Sequence, residues 1–225
     1  MGDILLLLPI MAVVLLLSGI LLAVGALADG TALEDLGDST ADLPAWLIVV
    51  PTMIQQLAWF GWPFIVSKWK GLGPASDWGW AFKPVDLGIG LGTAMIAMFA
   101  AGLAATVTGA LVGLDDESQA ENTQIITDLE GSPWLYGLLF VVIIGAPVSE
   151  EILFRGLIMR AVEKRWGTVA GVIGSLLVFV PIHFADGGII TDGAPAITDG
   201  QIVLWATIAA LGLVLAVVTV VTDRL

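Results

Sequence analysis

Residues 134–158 read WLYGLLFVVIIGAPVSEEILFRGLI. The stretch exceeds the roughly 18 apolar residues that mark a transmembrane helix, yet it holds Glu150, Glu151 and Arg155. An ionisable group at the centre of such a helix costs about 2.5–3.5 kcal/mol on insertion scales, so charges kept there ask for a reason. Five more apolar stretches flank it, at about 4–27, 44–66, 87–114, 169–184 and 202–221. Of the 225 residues 58% are hydrophobic and 13% charged, against about 25% charged in an ordinary soluble domain. The chain therefore reads as one all-α integral membrane domain over residues 1–225, a polytopic helical bundle of about six transmembrane helices.

The loops sort by sign. Lys68, Lys70 and Lys83 lie between the second and third spans, Arg160, Lys164 and Arg165 between the fourth and fifth, and Arg224 follows the sixth. Arg155 lies toward the same end of the fourth span. The positive-inside rule makes that side the cytoplasm, so both termini are expected there, in a multi-pass protein of the cell membrane. The opposite loops are acidic, among them Glu34, Asp35, Asp38, Asp115, Asp116, Glu121 and Asp186, and read as solvated external segments with no EF-hand spacing. Ala26-Leu27-Ala28 resembles a signal-peptidase site, but the start of the chain has no basic residue and the apolar run is too long, so a retained helix is expected. Trp69, Trp78, Trp80 and Trp166 on the basic side, with Trp46 and Trp134 opposite, are expected as interfacial anchors. Gly88, Gly92, Gly109 and Gly113 form two small-x-x-x-small pairs, read as close helix packing within the bundle rather than as a homodimer contact.

A net charge of −13 from 21 acids and 8 bases excludes nucleic acid as a partner, since the chain could not neutralise a run of phosphates. There is no cysteine, which excludes disulfides, thiolate metal sites and a cysteine nucleophile. His183 is the single histidine. A zinc site is therefore disfavoured; one would have to use Glu150, Glu151 and His183, and no cofactor is expected.

Glu151 and Arg155 are four residues apart in acid-before-base order, which places them on one helix face. Glu150 points about 100° away. A buried ion cluster, or acids capping a helix that begins or kinks near Pro147 and Ser149, would explain these charges without chemistry. His183 adds to them. The only break between the fourth and fifth spans is Trp166-Gly167, and in an antiparallel hairpin residues equidistant from the turn lie at one height. Glu150 and His183 are each about 16 residues, or roughly 24 Å, from that turn. A carboxylate and an imidazole at one depth in the bilayer can activate water, the glutamate taking its proton and the imidazole steadying the oxyanion.

At these residues the sequence resembles the CAAX-processing and bacteriocin-processing intramembrane proteases, the CPBP or Abi family. Members carry a first motif E-E-x-x-x-R, matched by Glu150, Glu151 and Arg155, and a second F-x-x-x-H, matched by Phe179-Val180-Pro181-Ile182-His183. The likeness covers about residues 77–225. It implies an intramembrane endopeptidase, glutamic or metallo-type, acting on a peptide or protein substrate at the lipid bilayer. By the same likeness Glu150 activates the water, Glu151 and Arg155 form the pair that orients it, His183 completes the centre, and Phe179 packs beside it.

The family's third motif, commonly H-x-x-x-N, has no counterpart. His183 is the only histidine and Asn122, in an external loop, the only asparagine. The ending after Asp223-Arg224-Leu225 is read as a truncation in preference to a natural shortening. Two rivals stay open: a non-catalytic scaffold, immunity or substrate-binding protein of the same fold, and a transporter. The latter is disfavoured by the lack of matching broken segments in two halves, although Pro51, Gln55, Gln56 and Pro63 make the second span irregular.

Overall fold

The computed structural model describes residues 2–30, 44–79, 82–113, 129–183, 190–191, 194–195 and 197–224. The protein is all-α and polytopic. Its helices are α1 (Gly2–Asp29), α2 (Ala45–Lys70), the short α3 (Pro74–Trp78), α4 (Val85–Val112), α5 (Trp134–Trp166), α6 (Thr168–Ile182) and α7 (Asp199–Thr222). A two-residue antiparallel pair, Ile190–Thr191 with Ala194–Pro195, is the one strand pairing among the described residues. Helices α2, α4, α5 and α7 are long and apolar enough to cross a membrane, while α1 and α6 contribute the shorter apolar stretches Ala12–Ala28 and Thr168–Ile182. In lipid this is the expected solution, because a helix satisfies its backbone polar groups internally.

The chain divides into two compact units. The first comprises residues 1–71 and 121–153, and the second residues 72–120 and 154–225. In the first, α1 lies on α2 through Ala26 and Leu47, with Leu22 and Trp46 around them, and Gly25 leaves room for the Leu47 side chain. Val49 of α2 meets Leu129 and Leu138. Although Pro51 and Pro63 lie inside α2, that helix is continuous.

In the second unit α4 packs on α7. Three of the four glycines expected to pack closely, Gly88, Gly92 and Gly113, do not make that contact. A Cβ built at Gly88, Gly92 or Gly113 would meet open space, and α4 buries Ala97 and Ala101 instead. Gly113 has φ +79 and ends the helix, the usual task of a glycine at that place. The close approach falls on α6. A Cβ at Gly171 would come 3.0 Å from the Met159 carbonyl and 2.9 Å from Glu163, and the buried Ser175 hydroxyl donates to the Phe154 carbonyl at 3.1 Å. The turn into α6 is at Gly167, φ +86, where the break was expected.

Trp69, Trp134 and Trp166 are exposed, as interfacial anchors should be. Trp78 is not an anchor: it is buried, because α3 turns its ring inward. Trp46 is half-buried against α1. Trp80, Asn122 and most of the external acids lie outside the described residues.

Candidate active site

The charges of the fourth span sit in an unusual helix. α5 is α-helical over Trp134–Phe140, π-helical over Val141–Gly145, α-helical over Ala146–Glu150 and π-helical again over Glu151–Met159. The helix runs on through Pro147 and Ser149, where the sequence allowed a start or a kink. A proline within an α-helix presses on the carbonyl four residues back. Here the preceding turn is widened, with the Ala146 N–H bonded to the Val141 carbonyl five residues back, and the helix passes through the proline. π-turns cluster at functional sites, and the second one begins at Glu151.

Glu150 and Glu151 are half-buried at the end of the first unit. Next to them Ser149 is buried, and its hydroxyl bonds the Gln56 side chain of α2 and the Ala146 carbonyl at 3.0 Å. Gln56 was noted in the sequence only as an irregularity of the second span. A polar residue in a spanning helix was the available signal, but its partner lies 93 residues away.

Arg155, Phe179 and His183 are brought together in the second unit. Arg155 is 1% exposed, its Nη2 donates to the Gly212 carbonyl of α7 at 3.0 Å, and its guanidinium stands 4.5 Å from the centroid of the Phe179 ring. Phe179 is also edge-on to Phe154 at 4.9 Å and to His183 at 4.8 Å. A guanidinium disperses its charge over a plane and stacks on aromatic faces, so arginine can occupy such a place where lysine could not.

His183 follows the last residue of α6. Its backbone N–H bonds Val180 rather than the carbonyl four residues back, and its Nδ1 takes over that carbonyl, Phe179 O, at 2.9 Å. A carbonyl only accepts, so Nδ1 carries the hydrogen and Nε2 is the nitrogen left outside this contact. The backbone group left at the helix end thereby fixes the imidazole.

Among the described residues no three His, Asp or Glu side chains gather into a metal-holding group.

Comparison with curated proteins and with solved structures found no match to the chain. A family model does match, over residues 132–225: type II CAAX prenyl endopeptidase Rce1-like. That stretch includes every residue of the two motifs, and over it the chain is similar to the Rce1-like CAAX endopeptidases.

Proposed function

We propose that the protein is an intramembrane endopeptidase in which Glu150 is the general base. Its carboxylate takes a proton from water as the water oxygen bonds to the scissile carbonyl carbon. The resulting oxyanion is steadied by His183, which donates from Nε2 in its protonated form, since Nδ1–H is committed to the Phe179 carbonyl. The C–N bond then breaks as the proton held by Glu150 passes to the leaving amine. Glu151 and Arg155 orient the base. No cofactor enters. The substrate is a peptide or protein presented at the bilayer, and both termini face the cytoplasm of the cell membrane.

The observation that carries this reading is that Arg155 and His183, from two separate motifs, both lie against one ring, Phe179. The family match supports it. The test uses the 225-residue chain in lipid vesicles with a quenched fluorescent peptide bearing a prenylated CAAX tail, and the same peptide without the lipid. Turnover that survives a chelator and is lost in Glu150→Gln, with the helical content kept, is the expected result. Equal turnover by Glu150→Gln removes Glu150 from the mechanism. Failure of the wild type on both peptides favours the non-catalytic membrane protein.

A further inference from the structure

Neither motif includes α7, yet α7 supplies the backbone on which Arg155 rests. The point of contact is Gly212, which is buried and whose carbonyl accepts from Arg155 Nη2 at 3.0 Å. Glycine is required there by space. A Cβ at this position would lie 2.9 Å from Cδ1 and 3.1 Å from Cε1 of Phe179, and 3.0 Å from Cδ2 of Leu176. Distances of that order force a neighbour to move. Leu176 can swing aside. The Phe179 ring has less freedom, being held by Phe154 at 4.9 Å, by the Arg155 guanidinium at 4.5 Å and by the His183 ring at 4.8 Å.

We propose that Gly212 is a positioning residue for the endopeptidase site, acting through Phe179 on the Arg155 guanidinium and the His183 imidazole. Its missing side chain seats the Phe179 ring, and its carbonyl fixes the end of Arg155. One backbone unit thus holds both the Arg155 guanidinium and the Phe179 ring against which His183 lies. The catalytic part of this inference rests on the peptidase reading; the seating of the His183 ring does not.

Because His183 is the only histidine, isotope-labelled histidine gives a single imidazole in the NMR spectrum of the full chain in detergent. The ring current of Phe179 makes that signal a direct report of the seat. Gly212→Ala is expected to move the His183 ring resonances. It should also lower kcat on the prenylated CAAX peptide by about tenfold to 100-fold, the range a misplaced group costs, with KM within about twofold. Leu176→Ala alone should leave both readouts at wild type. Gly212→Ala with Leu176→Ala gives room on the leucine side and secures folding if the single variant folds poorly; it should keep the shifted resonance and the low kcat.

Unmoved His183 resonances in a folded Gly212→Ala protein would overturn the proposal, as would a loss repaired by Leu176→Ala or carried by KM alone. If Glu150→Gln retains turnover while Gly212→Ala still moves His183, the peptidase assignment fails and the seat stands.

Discussion

Ser149 of α5 and Gln56 of α2 are joined by a side-chain hydrogen bond next to Glu150 in sequence. The serine hydroxyl has one proton, so the Gln56 and Ala146 carbonyls compete for it. In the membrane interior such a bond between helices is worth about 0.6 kcal/mol on average and up to about 1.7. Gln56→Leu leaves Ser149 its Ala146 acceptor and should cost less than Ser149→Ala, which also opens a small void. Unfolding in detergent of the two single variants and the double variant should give a coupling of about 0.6–1.7 kcal/mol. Strictly additive costs would show that the bond carries no energy.

Arg155 should resist its usual conservative replacement. The guanidinium reaches a backbone carbonyl and a ring together, and an ammonium has neither the planar fork nor the stacking face. Arg155→Lys is therefore expected to unfold at lower temperature than the wild type and to lose most turnover. Phe179→Leu added to it should cost less than Phe179→Leu alone, because the cation–π contact, about 2 kcal/mol when desolvated, is already gone. Wild-type melting and turnover in Arg155→Lys would reduce Arg155 to a charge of no special shape.

Much of this was legible before any coordinates. Apolar length alone located the helices, since in lipid the chain has few alternatives to helix, and Gly167 was the only polar break able to turn α5 into α6. Arg155, Phe179 and His183 were legible through their motif spacing. Gly88, Gly92 and Gly113 of α4 misled because a small residue permits close approach without requiring it; Ala97 and Ala101 are buried instead. Pro147 and Ser149 allow a helix to begin or kink, and the helix instead continues there with a widened turn before the proline. Gly212 left no sequence signal at all: it is one of 27 glycines, and only the position of the Phe179 ring distinguishes it.

The end of α7 supplies a test of backbone fit. Asp223 has φ +52, its carboxylate pairs with Arg160 at 2.6 Å, and Arg224 pairs with Asp86 at the start of α4. Gly79, with φ +73, lies against the Asp223 carbonyl. Gly79→Ala adds a disfavoured φ to a clash with backbone, and it should destabilise by about 1–3 kcal/mol. Asp223→Asn keeps a side chain tolerant of that φ and loses only an ion pair whose acid is 85% exposed, a loss of at most about 1 kcal/mol. Chemical unfolding ranks the two, and an equal or reversed order would remove the close approach at Gly79 as a constraint.

Orientation follows from the eight bases and can be checked without background, because the chain has no cysteine of its own. Lys70 and Lys164 should both be cytoplasmic, on the argument that translocating clustered Lys and Arg is disfavoured. Single cysteines at Lys70, Lys164 and Glu121 should then label on opposite sides of intact cells. An impermeant maleimide reaches Glu121→Cys at once and reaches Lys70→Cys and Lys164→Cys only after permeabilisation. The parity of the map makes the result sharp: α4 separates Lys70 from Glu121, and α5 separates Glu121 from Lys164. Labelling of all three from outside, or of Lys164→Cys with Glu121→Cys, would show that α4 or α5 does not cross. Since α5 carries Glu150 and Glu151, that outcome would also remove the bilayer from around the proposed base.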